Sequence, residues 1–416
     1  MNDFLTSDWL SMKALRTLVN RTAVAKYFNT NWNSEFQRPF TPGETIRVEY
    51  PPLWDIRNGV GYSPQAIQEI NTTINCDQLF GIDFQWDDVE LALKLERDDT
   101  RVNEFYMKGP MKKIAQEWDI RAAAFAAIYS NNIVGVLGTN PTSFSAFSAA
   151  AEQIMFELAG VDGTQEAGDV AQIISAGMNT SLIGGMSAVF NPQQEVSKQF
   201  KMSEIGTVAT FDTLRSMSLY TLTLGTVAGA FTVNGANQSG SSLTVNLTAG
   251  DTIKRGTKIG IASCYPTNPM TRGSVGTART FTFTVTQDLT AAGGGADVLQ
   301  ISPTIYGPGS PFQNISALPA NSATLTVMPG TSSPNGKSGL VGIALQKDAF
   351  ARVNVPLSLP KAVEIARQSR DDQTGMAIRF TRTFDATQIR YINRWDTLGG
   401  FGYLYGHNCA VAMLGA

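Results

Sequence analysis

The first twenty residues carry apolar side chains at the spacing of a helix. Leu5, Trp9, Met12, Leu15 and Val19 recur every three to four positions and predict an amphipathic helix with one apolar stripe. Two interpretations of this stripe fit the sequence equally well. Either the helix packs on its own domain, or it is an arm whose apolar side chains contact a neighbouring subunit.

The pattern then changes to the alternation that is typical of strands. Residues 44–50 and 71–86 alternate between apolar and polar side chains and predict two strands. About twenty residues rich in glycine and proline lie between them. A loop of this length inside a compact domain is unusual and often functional. The sequence therefore predicts a long hairpin or an extended loop.

The clearest helical pattern runs from about Arg101 to Asn132. Its apolar side includes Trp118, and its polar side includes lysines, glutamate and Asp119. The pair Gly109–Pro110 interrupts the pattern, so the helix either begins again with Pro110 in its first turn or kinks there. Even the part from Pro110 onward would be about 33 Å long. We expect this helix to form a spine.

The next section, 144–222, mixes helical and extended patterns. An alanine-rich amphipathic helix is predicted near 144–160, and a short strand near 187–192 leads into a helix that opens with Pro192. Residues 211–222 are predicted to be extended.

Between about 225 and 339 the composition shifts to short β-branched runs separated by turns. Glutamate is absent from the sequence between Glu204 and Glu364. The runs lie at 242–248, 257–263, 280–288, 297–302 and 323–329. Several short strands with turn signals between them predict a small antiparallel sandwich or barrel. Because mixed patterns resume afterwards, we expect a domain inserted into another domain.

Composition indicates a folded chain that buries much of its surface against other subunits. Of the 416 residues, 43% are hydrophobic and only 16% are charged, against roughly 25% charged in average soluble domains. The formal net charge of −3 produces no general attraction for nucleic acid. The N-terminal residues do not resemble a signal peptide, and no apolar run is long enough to span a membrane.

Candidate chemistry is sparse. The single histidine, His407, excludes two-histidine metal motifs, and the sequence has no phosphate-binding GxxxxGK[ST] motif. The glycine-rich stretches 58–64 and 399–406 do not match a dinucleotide fingerprint and indicate loops and tight packing. The sequence therefore predicts no catalytic, cofactor-binding or metal site.

The acidic pairs and the cysteines also have structural interpretations. Carboxylates adjacent in sequence point apart on a helix or strand, so Asp87–Asp88, Asp98–Asp99 and Asp371–Asp372 are interpreted as caps and turns. Cys76, Cys264 and Cys409 lie far apart and form no CxxC pair. They predict buried thiols in a reducing compartment.

The order of these segments resembles the major capsid protein of tailed bacteriophages, the Hong Kong 97-like fold. It is more similar to the coat proteins of short-tailed phages, which carry an inserted β-barrel domain. The most specific stretch is LTVNLTAGDTIKRGTKIGIASCYPTNPMTRG at 243–273, followed by FTFTVTQD at 281–288. Two features depart from the family pattern: KRGT replaces KRGD, and the loop VNGANQSGSS at 233–242 is short and uncharged where some relatives carry a charged loop.

The resemblance implies an α+β fold with six segments. They are an N-terminal arm at 1–33, an extended loop with peripheral-domain strands at 34–99, a spine helix at 100–135, the first part of an axial domain at 136–222, an inserted antiparallel β-barrel at 223–343, and the completion of the axial and peripheral domains at 344–416.

The resemblance also implies a function. Pentamers and hexamers of the chain would close into an icosahedral shell around double-stranded phage DNA, packaged without sequence-specific binding. Its partners would be a scaffolding protein, a portal protein and, in some phages, a decoration protein, with no membrane or cofactor. The shell would assemble in the cytoplasm of the bacterial host and remain as the virion capsid.

The suspected intersubunit contacts lie in the arm and in the extended loop. They are Leu5, Trp9, Met12, Leu15, Trp54, Arg57 and Tyr62. Three other functions stay open from the residues: a tail or fibre protein, a nanocompartment shell protein, and a polysaccharide-degrading enzyme with its site at an acidic pair.

Overall fold

The computed structural model of the chain gives a mixed α+β fold. It describes residues 7–19, 21–37, 45–50, 59–61, 64, 69–87, 108–143, 145, 149–150, 153, 170–186, 207–208, 211–229, 231–268, 271–274, 276–277, 279–293, 296–328, 336–371 and 374–416. These residues belong to two compact units. The first comprises 1–48, 71–122 and 350–404, and the second comprises 49–70, 123–349 and 405–416.

The first unit is built on a seven-stranded sheet. Strands are numbered in chain order through both units, so the numbers within one unit are not consecutive. The strands of this sheet are β1 (Thr45–Glu49), β2 (Asn71–Asn75), β3 (Gln78–Asp87), β18 (Phe350–Val355), β19 (Ile365–Arg370), β20 (Ala377–Asp385) and β21 (Arg390–Tyr403). The order is β1-β2-β21-β20-β19, and β3 and β18 also pair with β21. The long strand β21 is therefore the centre of this sheet.

The predicted alternating run at 71–86 forms two strands instead of one. β2 ends at Asn75, and β3 begins at Gln78. Both strands pair with β21, β2 through Ile74 opposite Gly402 and β3 along ten residues. The break lies at Cys76 and Asp77.

The N-terminal helix α1 (Ser7–Val19) packs on β19 and β20. Its buried face consists of Ser11, Ala14, Leu15 and Leu18, and Ser369 Oγ donates a hydrogen bond to Ser11 Oγ over 2.5 Å. Met12 is 56% exposed. The predicted stripe through both Met12 and Leu15 was wrong, because a small serine takes the inward position that the pattern gave to methionine.

The predicted spine corresponds to α2 (Gly109–Tyr129). It begins at Gly109 with Pro110 in the first turn, where the missing amide of proline costs no helical hydrogen bond. Residues 101–107 lie outside the described residues. The apolar face is buried as predicted, but Asp119, assigned to the polar face, is only 4% exposed.

The second unit contains a seven-stranded mixed sheet. Its strands are β4 (Asn132–Gly135), β5 (Val170–Ile174), β6 (Thr207–Val208), β7 (Phe211–Arg215), β8 (Tyr220–Thr223), β17 (Ser338–Gln346) and β22 (Ala410–Leu414). The order is β4-β22-β17-β5-β7-β6, and β8 also pairs with β17. The helices α3 (Ala176–Met186) and α4 (Gly406–Cys409) belong to the same unit.

A separate antiparallel β-region lies between β8 and β17 in the chain. It comprises β9 (Thr232–Val233), β10 (Gly240–Asn246), β11 (Thr252–Ile253), β12 (Lys258–Ile261), β13 (Thr282–Val285), β14 (Leu289–Thr290), β15 (Asp297–Ile305) and β16 (Leu325–Val327). Six of them form the sheet β16-β12-β13-β15-β10-β9, and β11 pairs with β14. All five strands predicted for this region are present, and the two-residue strands β9, β11 and β14 were missed.

The chain leaves the mixed sheet of the second unit at the end of β8 and returns to it at the start of β17, and these two positions are adjacent. Thr223 of β8 lies opposite Ser338 of β17 in an antiparallel pair. One hydrophobic cluster includes Leu222 and Val341 of the mixed sheet together with Ile259 and Phe283 of the six-stranded sheet. The mixed sheet and the six-stranded sheet therefore share a core. The helices predicted at 144–160 and after Pro192 fall almost wholly outside the described residues.

Candidate functional site

The arm segment after α1 is attached to α2 by one buried carboxylate. Asp119 Oδ2 accepts a hydrogen bond from the amide of Ala23 (2.8 Å), and Oδ1 accepts from the amides of Val24 (2.9 Å) and Ala25 (3.0 Å). These amides lie at the start of a 3-10 helix, Ala25–Tyr27, where backbone donors have no helical partner. The carboxylate supplies the acceptor that these three donors need.

The charge of Asp119 is set by opposing effects. Burial raises the pKa of its carboxyl, and the three amide donors and the nearby Arg352 guanidinium act to lower it. Arg352 on β18 is itself fully buried, and burial lowers the pKa of its guanidinium to about 10, against the attraction of Asp119 and Asp371. Its Nη2 donates to the carbonyl of Thr374 over 2.5 Å. The arm, the helix and the sheet of the first unit thus meet at a buried charge cluster.

The arm segment also adds to the edge of β18. The amide of Asn29 donates to the carbonyl of Phe350 (2.9 Å), and the amide of Arg352 donates to the carbonyl of Asn29 (2.8 Å). Farther along, Asn33 Oδ1 accepts from the amide of Asn354 (2.9 Å). Asn29 is therefore held on β18 by backbone hydrogen bonds, and Asn33 is held there by its side-chain oxygen.

Trp118 seats α2 on the sheet of the first unit. Its ring contacts Phe80 and Phe401 edge-on, with centroids 5.1 and 5.8 Å apart. A Cβ added to Gly399 would overlap the ring of Trp118. The glycine-rich stretch at 399–406 thus serves tight packing, as predicted, although Gly399 lies within a strand and not in a loop.

Tyr50 lies at the base of the loop between β1 and β2. Its amide donates to the carbonyl of Ile70 over 2.9 Å, and its ring contacts Tyr405 with centroids 5.3 Å apart. β1 and β2, which flank the loop, are neighbours in the sheet. Val60, within the loop, is 98% exposed.

The suspected contact residues have different placements. Met12 is exposed, and Leu15 is 5% exposed and packs within its own chain. Trp9 lies in α1, but its side chain is outside the described residues, as are Leu5, Trp54, Arg57 and Tyr62 entirely. Of the two described side chains, Met12 and Leu15 do not share a surface, because Met12 is exposed and Leu15 is buried. The structure adds exposed apolar side chains that the sequence did not single out: Met217, Phe384 and Ile389.

The β-region contains ordered loops at both positions where it departs from the family pattern. Gln238 holds the uncharged loop, because its Nε2 donates to the carbonyl of Asn234 (2.6 Å) and its Oε1 accepts from the amide of Thr244 (2.7 Å). At the KRGT turn, Asp288 accepts from the amide of Arg255 (2.7 Å) and pairs with Lys254 (3.2 Å). A carboxylate distant in sequence therefore satisfies this turn.

The acidic pairs and the cysteines have structural roles where they lie in the described part of the chain. Asp371 Oδ2 accepts from the amide of Thr374 over 2.9 Å and closes the turn between β19 and β20, which agrees with the predicted role in a turn. The three cysteines, all described, are buried and form no disulfide, and burial raises the pKa of Cys264 to about 11. Asp98, Asp99, Asp372 and the side chain of His407 lie outside the described residues.

In the ranges that the structure describes, no three His, Cys, Asp or Glu side chains are grouped so that they could hold a metal ion. Among the described helices, none combines the length and the apolar character needed to cross a membrane.

Comparison with known proteins finds one matching family and several similar solved structures. The family described as "P22 coat protein - gene protein 5" matches residues 86–415. No curated protein matches the chain.

Solved structures of phages are similar over most of the chain. A structure described as Mycobacterium phage Che8 is 11% identical with a TM-score of 0.47, over 94% of this chain and 90% of that chain. The capsid of cyanophage P-SCSP1u is 14% identical with a TM-score of 0.43, over 90% and 84%. The capsid of Ralstonia phage GP4 is 6% identical with a TM-score of 0.41, over 94% and 87%.

Proposed function

The chain belongs to the P22 coat protein family and is a major capsid protein of a tailed bacteriophage, and from this we propose that its pentamers and hexamers close into an icosahedral shell around double-stranded DNA. The match over residues 86–415 carries this proposal. It favours the capsid function over a tail or fibre protein, a nanocompartment shell and a polysaccharide-degrading enzyme.

The subunit architecture that we propose is the Hong Kong 97-like fold with an inserted β-domain. The pairing of Thr223 with Ser338 supports an insertion at this point, because the chain can leave the mixed sheet and return to it without disturbing neighbouring strands. In this proposal the insertion lies within the expected 223–343. The N-terminal arm (1–33), the loop segment (34–99), the spine (100–135) and the axial and peripheral segments (136–222 and 344–416) keep their expected boundaries in this proposal.

Assembly on this account takes place in the cytoplasm of the bacterial host with a scaffolding protein and a portal protein. A decoration protein would bind the finished shell in those phages that have one. The net charge of −3 supports contact with DNA without tight binding, since affinity for the phosphate backbone grows with the number of basic groups that contact it. No cofactor is required, and the role is structural.

The subunit contacts that we propose lie on the exposed side of the arm and in the extended loop. Met12 supports the first, because an apolar side chain that is 56% exposed on a helix has surface left to bury. Leu5, Trp9, Trp54, Arg57 and Tyr62 remain candidates on sequence grounds. Leu15 is already buried in its own subunit and would act only through the position of α1.

Reconstruction of the assembled shell by cryo-electron microscopy tests this proposal. The chain is coexpressed with the scaffolding protein of its phage, and the particles are purified by sedimentation. We expect density for each subunit in which residues 231–327 form a β-lobe joined to the rest through β8 and β17. Particles whose subunits lack such a lobe, or that are not closed, would refute the proposed architecture.

A further inference from the structure

Lys258 is a fully buried lysine at the first position of β12, and it is 1% exposed. Its Nζ lies 2.9 Å from the carbonyl oxygen of Ala127 and 2.8 Å from that of Ile128. The third contact of Nζ is Thr284 Oγ1 on β13, at 2.9 Å. The lysine therefore extends from the six-stranded sheet to the last turn of α2.

The three hydrogen bonds of Nζ indicate the protonation state of Lys258. Both carbonyl oxygens can only accept. The hydroxyl of Thr284 donates its proton to Asn131 Oδ1 over 2.8 Å, so its oxygen also accepts from Nζ. With the Thr284 hydroxyl directed to Asn131, each of the three contacts uses an N–H of the lysine, which is the hydrogen-bonding pattern of the ammonium form.

The position of the ammonium fits the needs of a helix end. The last carbonyls of a helix have no intrahelical donor, and the helix dipole makes this end partly negative. Burial lowers the pKa of Lys258 well below its ordinary value, so the charge is costly at this position. The two carbonyls and the threonine oxygen are the groups that compensate for it.

We propose that Lys258 is the C-terminal cap of α2, supplied by the β-region, so that the end of the helix and the six-stranded sheet become ordered together. Residues 130–132, which lead from α2 into β4, depend on this cap. Thr284 extends the link, because the same hydroxyl that accepts from Lys258 holds Asn131. The inference concerns the folded subunit and does not rest on its assembly into a shell.

Hydrogen exchange of the full-length, unassembled subunit tests the cap. Lys258→Met keeps the apolar stem and removes all three donors, and Lys254→Met, at an exposed lysine of the preceding turn, is the matched control. We expect exchange of amides in 128–132 to accelerate at least tenfold in Lys258→Met and to stay unchanged in Lys254→Met. Exchange in 111–118 should be the same in both variants.

A second variant tests the proposed cap of α2 if Lys258→Met does not fold. Thr284→Val removes one acceptor and the link to Asn131 but keeps the lysine on both carbonyls. We expect it to accelerate exchange in 128–132 by about threefold. Unchanged protection of 128–132 in either folded variant would overturn the proposal. Because the subunit is measured unassembled, failure of the cap is distinguishable from failure of shell formation.

Discussion

The Oδ1 atom of Asp119, at the middle of α2, accepts a hydrogen bond from the amide of Val24 over 2.9 Å. The two residues are 95 positions apart in the sequence. The contact joins the segment after α1 to the helix through a charged group inside the protein. Such groups are retained in a core only where hydrogen bonds compensate for the loss of water.

Replacement of Asp119 by alanine should destabilise the first unit strongly. The buried amides of Val24 and Ala25 and the partly buried amide of Ala23 would lose their acceptor, and each unsatisfied buried donor costs about 1–3 kcal/mol. We expect a loss of about 3 kcal/mol or more in the free energy of unfolding, measured by urea denaturation. Asp77→Ala, at an exposed carboxylate in the same unit, is the control and should change stability by less than about 0.5 kcal/mol. Equal stability of the two variants would contradict the role of Asp119.

The raised pKa of Asp119 leads to a prediction of how the stability of the folded chain depends on pH. Because burial raises this pKa in the folded state, the folded chain holds a proton at pH values where the unfolded chain has released it. Stability therefore falls as pH rises from the ordinary pKa of 3.8 through the raised folded value, and it is constant above that. The charged groups that face this carboxyl are Arg352 directly and Asp371 through Arg352.

The measurement is the difference in unfolding free energy between the natural chain and Asp119→Asn as a function of pH. We expect the natural chain to lose its advantage as pH rises above about 4. A difference that grows with pH would mean that the three amides and Arg352 outweigh burial and that the folded pKa is lowered.

The two faces of α1 should respond differently to substitution. Leu18 is fully buried against the sheet, and Leu18→Ala is expected to cost about 2–5 kcal/mol of stability. Met12→Ser should leave the stability of the subunit unchanged, because Met12 is exposed, and should reduce the yield of closed shells if Met12 is a subunit contact.

Deletion of residues 1–20 is expected to destabilise the subunit itself, because it removes α1 and its buried face. A stable truncated subunit would contradict the packing of α1.

Gly399 should be intolerant of any side chain. A Cβ at this position would overlap the ring of Trp118 and approach the carbonyl of Val353, both of which are fixed by packing. Overpacking of this kind costs about 1–3 kcal/mol, and we expect a lowered Tm for Gly399→Ala. The control is Gly109→Ala at the start of α2, where nothing lies within 4 Å of the new atom. That variant should be neutral or slightly stabilised.

The sequence was most informative where a periodic pattern is satisfied by local geometry. The buried face of α2 follows from its helical spacing, and the strands of the β-region follow from β-branched runs between turns. The position of the β-region in the chain, between β8 and β17, also agrees with the sharp changes in composition near 225 and near 339. These features depend on residues that are near each other in the chain.

The hydrogen bonds that join helices and strands distant in sequence could not be predicted from periodic patterns. Asp119 and Lys258 are charged, and pattern analysis assigns charged residues to the surface, but each is buried by partners about 95 and 130 positions away. Ser11 takes the inward position of α1 because Ser369 provides a hydrogen bond. Only the tertiary structure identifies such partners.

Electron microscopy of the purified chain, alone and coexpressed with its scaffolding protein, tests whether the chain forms a capsid. We expect closed shells of uniform diameter, tens of nanometres across, in at least the coexpressed sample. Small discrete oligomers or rods under both conditions would contradict the claim that this chain forms the capsid.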